Sequence, residues 1–524
     1  MSAAPDGAPA GAAPVRGRRR SARSFGSALG WTVVGTVVPG TGFLAAGRRI
    51  LGAVTLVVFL LLVGGGVWLA TGGRRTAIRA AVDTGALLWL VAGIAVVALL
   101  WIVVVVSGYR MLLPPGVGRA RHVLGAVVVL LLVAVVAAPA VLVGRLAATQ
   151  RDLIAGVFDD HGKSATVDPK ANPFGSQDRV NVLLLGGDGG AGREGVRTDT
   201  VIVASIDTKT GDTTLFSVPR NLENLPFPPD SPLAKLYPKG FTADKEDEGL
   251  LNAVYRNGPA LHPDALGPSD NPGADWLKLG VGQALGLRLD YYVLVNLDGF
   301  SKLVDALGGI TVNVNYYVPV GGEPTIGTLP DAYIAPGPNQ HMDGATALAF
   351  ARGRFGLTDY DRMARQRCAI KAIIDAADPA TLLTKYQQLA ATTKDIVSTD
   401  IPRSVLDDFV GLGFTVKDAK VRSVVFDENL IKPAYPDYDK MRQIVQSALA
   451  SPAASATTTA SPSSAASSAS SSSASSSSAS SSSASAPPTG AAPAPVSDVG
   501  DACRYDPVRA QQALAAGQPP TKKR

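Results

Sequence analysis

Residues Val180–Asn221 read VNVLLLGGDGGAGREGVRTDTVIVASIDTKTGDTTLFSVPRN. Three apolar runs, Val182–Leu185, Thr200–Ile206 and Thr213–Val218, are separated by a glycine loop and by the turn Lys209-Thr210-Gly211-Asp212, a pattern that predicts strand, loop, strand, turn, strand. Asp188, Arg197, Asp199 and Arg220 sit at the ends of those runs. Open α/β sheets place ligands at strand ends, and two carboxylates beside two guanidiniums suit a magnesium-bound phosphate ester.

Downstream of this stretch, strands alternate with helices. Glu248–Arg256 and Asp275–Leu285 read as helices, Tyr291–Val295 as a strand, Gly299–Leu307 as a helix closed by Gly308-Gly309, and Ile310–Val314 as a strand. Asp343 can cap a helix through Ala351, and Tyr360–Ala377 forms a longer one. Val405–Val410 and Met441–Ala448 are shorter helices, with Val421–Phe426 a strand between them. The alternation argues an α/β layered domain over 179–448. Asn224–Lys245, rich in Pro and charge, reads as a surface loop.

Upstream lie three uncharged apolar runs, about 50–70, 84–109 and 123–144. Each is long enough to cross a bilayer core, which takes about 20 helical residues. A cleaved leader would have one short apolar run and a cleavage site, so these read as anchors. The stretch 30–47 is apolar but broken by Pro39-Gly40 and reads as an interfacial or re-entrant hairpin. Residues 1–29 carry Arg16, Arg18, Arg19, Arg20 and Arg23 in a disordered tail. Three spans keep that tail cytoplasmic and put the large domain outside, and the loop with Arg110, Arg119 and Arg121 then faces the cytoplasm. Arg74, Arg75 and Arg79 in the opposite loop make the charge asymmetry modest.

The other ends are linkers. Residues 150–178 form a polar tether with Asp168-Pro169 and Asn172-Pro173, and 449–524 form a Ser/Ala-rich flexible tail. The formal charge of +6 reflects the basic N-terminus and argues for membrane topology, not for a nucleic-acid partner. Four histidines with neither HxxxH nor CxxC spacing argue against a zinc site. The two cysteines, Cys368 and Cys503, either bridge tail to domain or stay separate, with Cys368 buried on a helix. Nothing in the pattern specifies an oligomer.

A second polar set lies far along the chain: Arg352, Arg354, Asp359, Arg362 and Gln366. Arg352 and Arg354 flank the bend that ends an apolar helix. Arg362 and Gln366, four apart, share a face of the next helix, with Asp359 one turn earlier. Arginine gives bidentate, permanently charged contacts to phosphate, although a solvated helix face would show the same residues. Asp188 and Asp199 could share a Mg²⁺, or Asp199 could instead pair with Arg197 on the same strand face.

Seven blocks, NVLLLGGD, RTDTVIVASID, SVPRN, LLNAVYRNG, GFSKLVDALGGI, HMDGATALAFARGR and DYDRMARQ, together resemble the LytR-CpsA-Psr family of cell-envelope phosphotransferases over Arg179–Ala377. High Ala, Gly, Val and Arg usage and the three spans fit its actinobacterial type. The resemblance implies an extracytoplasmic three-layer α/β/α domain, a central mixed sheet between helical layers, with an apolar pocket for a polyprenyl chain. It implies transfer of a glycopolymer, with one phosphate, from a polyprenyl-pyrophosphate carrier in the membrane lipid to a peptidoglycan sugar hydroxyl. By position, Asp188 and Asp199 would serve Mg²⁺; Arg197, Arg220, Arg352, Arg354 and Arg362 would bind the diphosphate; Asp359 and Gln366 would support them. Asp199 is the expected acceptor of the hydroxyl proton. The chain departs from the family pattern at Gly189, where a polar residue is common, and at Phe350, where Tyr is common. Rival readings are a lipid-pyrophosphate hydrolase and a non-catalytic polyprenyl-phosphate-binding scaffold or regulator.

Overall fold

A computed structural model describes residues 21–158, 163–168, 172–187, 196–377, 397–450 and 496–522. The chain divides into two compact units, one built mainly from residues up to Val157 and one that starts at Phe158.

The first unit holds three helices long and apolar enough to cross a membrane, Arg49–Thr71, Gly85–Leu112 and Arg119–Asp152, with mean hydropathies of 2.6, 3.0 and 3.1. The stretch before them is helical from Phe25, earlier than the boundary at 29, because Ser24 accepts the Ser27 amide as an N-cap. That helix, Phe25–Val37, ends before Pro39-Gly40, and a short helix, Thr41–Ala45, follows. The basic residues 16–20 lie outside the described residues. The last long helix, Arg119–Val157, carries Pro139 inside it and runs through Gln150, so the tether starts later than its composition suggests.

The second unit is organised on a seven-stranded mixed sheet. Its strands are β1 (Arg179–Gly187), β2 (Thr198–Asp207), β3 (Thr213–Val218), β4 (Tyr291–Asn296), β9 (Val397–Thr399), β10 (Val421–Val425) and β11 (Ser497–Asp498), in the order β11-β10-β3-β2-β1-β4-β9. The quoted stretch supplies the three central antiparallel strands. The β2–β3 turn is set by Asp207, whose carboxylate accepts the Lys209 and Thr210 amides, and by Gly211 at φ +77. A Cβ there would also sit 2.7 Å from the Thr415 backbone. Four strands, β1, β3, β4 and β10, run in one direction, because β1 pairs parallel with β4, β3 pairs parallel with β10, and β2 is antiparallel to both β1 and β3.

Alternation along the strands divides the apolar residues between two faces. Leu183, Leu185, Val201, Val203 and Phe216 enter the larger core with Trp276 of helix Pro272–Leu285 and Met441 and Val445 of helix Tyr438–Ala450. Ile202, Ala204 and Leu215 take the opposite face. Phe227 and Phe241 meet Trp276 edge-on, with centroids 5.6 and 6.1 Å away. Asn224–Lys245 is therefore no simple surface loop: its Leu225, Phe227, Leu233 and Phe241 anchor it in the core. Four short strands, β5 (Ile310–Val314) with β8 (Gly337–Met342) and β6 (Val318–Val320) with β7 (Ala332–Ile334), form two separate ribbons. Helix Leu297–Leu307 packs closely on helix Gly344–Arg352 because Gly344 has no side chain; a Cβ there would lie 2.0 Å from the Ser301 carbonyl oxygen.

Two expectations about the ends need correction. Residues 163–166 of the tether dock on Asp275, whose carboxylate accepts from the Ser164 hydroxyl at 2.8 Å, the Thr166 hydroxyl at 2.6 Å and the Ala165 amide at 3.0 Å. The C-terminus is not all flexible tail: residues 451–495 lie outside the described residues, but 496–522 fold back, adding β11 and helix Pro507–Ala516. Val499, fully buried, packs beside Ile202 and Val421. A disulfide between Cys368 and Cys503 settles the open question of the two cysteines and closes a loop of 135 residues.

Closing so long a loop restricts the unfolded chain, and losing such a bridge costs about 2–4 kcal/mol. Cys503→Ser should lower the unfolding free energy of the second unit by that much in urea titration, while the spectroscopic signature of its sheet at low denaturant stays unchanged.

Candidate active site

The strand directions place the C-terminal ends of β1, β3, β4 and β10 at one edge of the sheet, where β2 begins. Val201 pairs with Val218, so two residues further out Asp199 lies opposite Arg220. Arg220 Nη1 donates to Asp199 Oδ1 at 2.6 Å, and its Nε lies 3.6 Å from Asp359 Oδ1. Arg362 Nη2 reaches the same Asp359 oxygen at 2.9 Å. One residue on β2, one just past the end of β3 and two on helix Asp359–Ala376 thus alternate in charge as Asp199, Arg220, Asp359 and Arg362. Thr358 caps this helix through a capping box with Asp361, which fixes where Asp359 emerges.

A cavity of about 550 Å³ opens beside the chain of charges. Its lining includes Asp199, Arg352, Arg354, Arg362 and Gln366, all five expected from the sequence. Gln366 Nε2 donates to Thr200 Oγ1 at 2.8 Å, which ties helix to strand. Thr200, Asn296 and Glu323 add further polar lining, and most of the remainder is apolar, including Leu184 and Ile202 from the sheet and Phe300, Leu348 and Ile373 from the overlying helices. The sheet face that carries Ile202 is thus covered by a helix layer that leaves an apolar slot.

The electrostatics follow from burial. Arg362 is only 3% exposed, and its removal from water pushes its pKa down to about 10, with Asp359 opposing the fall. It stays cationic at neutral pH. Its Nε is buried without a hydrogen-bond partner among the described residues, and an anionic ligand oxygen would satisfy it. Burial alone would raise the Asp199 carboxyl, but the charge and hydrogen bond of Arg220, then Arg362 and the Asn252 amide, outweigh it and hold the group below its ordinary range. Asp199 is therefore anionic and, in this arrangement, a weak proton acceptor.

Arg197 does not join the chain of charges, nor does it pair with Asp199. Its guanidinium donates to Glu248 Oε1 at 2.6 Å and lies 3.9 Å from Asp247. Of the glycine loop, Gly186 and Gly187 line the cavity, whereas residues 188–195, Asp188 among them, lie outside the described residues. The structure adds residues to which no role was assigned from sequence. Asn252, at the start of helix Leu251–Leu261, donates its Nδ2 to Asp199 at 3.3 Å, and its backbone amide donates to the Arg220 carbonyl at 2.9 Å. Glu248 gathers Arg197, Arg256 and Asn257. Three of these residues, Asn252, Arg256 and Asn257, belong to the block LLNAVYRNG, where polar residues recur within an otherwise apolar run; that was the signal available.

As to magnesium, no group of three or more His, Cys, Asp or Glu gathers among the described residues. The donors present are hard oxygens, namely anionic Asp199 and the Asn252 Oδ1, which is buried without a partner. Such a set fits Mg²⁺, which binds through one or two carboxylates and takes its other ligands from water and phosphate.

A sequence model of the LytR_cpsA_psr family matches residues 152–447, more than half of the chain. The chain belongs to the LytR-CpsA-Psr family. Among curated relatives, a probable cell wall biosynthesis protein, LcpB, from Corynebacterium glutamicum is 32% identical over 215 residues, 40% of this chain and 41% of the relative. The biofilm regulatory protein A of Streptococcus mutans is 26% identical over 273 residues, 50% and 59% of the two chains. A polyisoprenyl-teichoic acid–peptidoglycan teichoic acid transferase, TagU, from Enterococcus faecalis is 29% identical over 232 residues, 43% and 63%. This chain therefore spans about half the length of the curated relatives it matches.

The Glu248 carboxyl is held down from 4.5 to about 2, first by the hydrogen bond from Asn257 and then by Arg256 and Arg197 against the cost of burial. A depressed carboxylate contributes stability above its unfolded pKa and loses it as pH falls through the folded one. Wild type should therefore lose this contribution between pH 4.5 and about 2. Glu248→Gln should be less stable than wild type at pH 7, with the two denaturation midpoints converging towards pH 2.

Proposed function

We propose that the second unit transfers a glycopolymer, with one phosphate, from a polyprenyl-pyrophosphate carrier to a peptidoglycan sugar hydroxyl, at the outer face of the cytoplasmic membrane. One observation carries the reading: a single cavity is lined mostly by apolar residues and also by three arginines, Arg352, Arg354 and Arg362. Such a cavity suits a ligand that is hydrocarbon at one end and multiply anionic at the other. Each buried CH₂ of a prenyl chain contributes about 0.8 kcal/mol, so a few isoprene units supply binding energy remote from the reacting phosphorus. The TagU relative is named for a polyisoprenyl-linked donor and a peptidoglycan acceptor, which supports the same classes here. Three membrane helices ahead of the domain suit an enzyme whose donor lives in the bilayer.

The chemistry asked of the residues is electrostatic. As the acceptor hydroxyl attacks the phosphorus next to the glycan, the bond to the bridging oxygen breaks and polyprenyl phosphate leaves with the electron pair. Arg352, Arg354 and Arg362 line the site where that charge develops, and arginines fixed in advance stabilise it without reorganising. The chain of charges supplies the fixing: Asp359 aims Arg362, and Asp199 with Asp359 aims Arg220. Held by Asp199 and Asp188, Mg²⁺ would add Lewis-acid neutralisation of the diphosphate. Asp199 is suited to orient cations more than to take the acceptor proton while Arg220 holds its pKa down. A diphosphate that drew Arg220 away would free it for that role.

The test follows products by mass spectrometry. The full chain in membranes is given Mg²⁺, a polyprenyl-pyrophosphate glycan and peptidoglycan oligomers. Glycan phosphate joined to the acceptor with polyprenyl monophosphate released is the expected outcome. Glycan phosphate released to water alone would show a hydrolase, and lipid retained without turnover would show a scaffold. Arg220→Ala should reduce transfer by on the order of 10²-fold, the cost of losing one fixed donor, with the fold intact by circular dichroism. Near-wild-type transfer in that variant would remove Arg220 from the site.

A further inference from the structure

Residues 496–522 lie beyond the segment that the family model matches, yet they fold against the helix that carries Arg362 and Gln366. Their attachment is specific. Asn313 and Asn315, in and after β5, donate their side-chain amides to the carbonyls of Cys503 at 2.9 Å and Arg504 at 3.0 Å. Asn315 in turn accepts the Asp506 amide at 2.9 Å. Asp506 then caps helix Pro507–Ala516 by accepting the Val508 and Arg509 amides. These bonds fix where Arg509 starts.

From there a line of contacts leads towards the cavity. The Arg509 guanidinium lies 4.4 Å from the centroid of the Tyr316 ring, and Nη2 is 3.4 Å from Asp361 of the capping box. The Tyr316 hydroxyl accepts from Arg365 Nη1 at 2.9 Å. Arg365, only 4% exposed, donates Nε to the Phe350 carbonyl at 2.7 Å and Nη2 to the Gly353 carbonyl. Those two carbonyls bracket Arg352, and the second immediately precedes Arg354. A buried guanidinium with three donors so placed holds the bend that carries two of the cavity's arginines.

We infer that the C-terminal segment braces the anion site, with Arg509 acting through Tyr316 and Arg365 as a positioning residue for Arg352 and Arg354. The inference rests on the diphosphate reading of the cavity. Arg509 touches no part of that cavity's lining directly, and its side chain is 53% exposed. An exposed ion pair contributes little to stability, so removing it should leave the fold standing while loosening the bend. Displacing a reacting group by about 1 Å costs on the order of 10²-fold, and a brace acting through an intermediary should cost about tenfold.

The experiment compares full-length wild type, Arg509→Ala, Tyr316→Phe, the double variant and Arg504→Ala in lipid nanodiscs. Arg504 is a neighbouring exposed arginine paired with Asp501, and its loss controls for charge alone. Three quantities are read: geranyl diphosphate affinity by calorimetry, transfer kinetics, and melting temperature. Arg509→Ala should weaken diphosphate binding and lower kcat about tenfold with acceptor KM and melting temperature unchanged, whereas Arg504→Ala matches wild type. Tyr316→Phe keeps the ring, which also lies 5.7 Å from the Arg365 guanidinium, but removes the hydrogen bond to Arg365, so adding Arg509→Ala to it should cost clearly less than Arg509→Ala costs alone. Wild-type behaviour of Arg509→Ala, or full additivity in the double variant, overturns the brace alone. Failure of wild type to bind geranyl diphosphate overturns the diphosphate reading, and the brace with it.

Discussion

The structure depends on the ion pair between Asp199 and Arg220, because it links adjacent strand ends and turns a sheet edge into an oriented charge array. An isolated pair so placed would contribute little to stability. Its value is geometric. With Asp359 reaching Arg220 from the helix and Arg362 sharing Asp359, the array crosses from sheet to helix layer, and every cation in it has a defined direction. The pair also explains the protonation states. Arg220 keeps Asp199 ionised despite burial, and Asp359 keeps Arg362 charged despite near-complete exclusion from water.

The apolar slot and the charge array require each other. A helix layer packed tightly on the sheet would fill the space beside Leu184 and Ile202, and no ligand could place an anion against Arg362. Instead the helices stand off enough to leave about 550 Å³, lined in part by Arg352, Arg354 and Arg362. The domain buries its larger core on the other face of the sheet, around Trp276 and Phe216, and a smaller one, around Ile202 and Val499, beside the cavity.

Much of this was legible in the sequence because the relevant signals are local. Period-two alternation in β1 to β3, the Lys209–Asp212 turn and the Asp343 cap all follow from neighbouring residues. The gathering of Asp199 with Arg352, Arg354, Arg362 and Gln366 was readable only through the set of motif blocks, since spacing alone left a solvated helix face as an equal reading. The pairing of Arg197 with Glu248, on the one-turn helix Glu246–Glu248, spans 51 positions and is not encoded by strand or helix spacing. Asn252 escaped because its role depends on a backbone bond to Arg220 across 32 positions, which no periodicity encodes. The folded C-terminal segment was hidden by the Ser/Ala run before it, and its anchors, Asn313, Asn315 and Cys368, lie more than a hundred residues upstream.

The most direct test of the central claim is a crystal structure of the second unit with geranylgeranyl diphosphate. The hydrocarbon should lie between the sheet and helix Gly344–Arg352, with diphosphate oxygens within hydrogen-bond distance of Arg352, Arg354 and Arg362 and one of them on Arg362 Nε. A ligand bound elsewhere, or one whose diphosphate points to solvent with Arg362 Nε still unpaired, would contradict it.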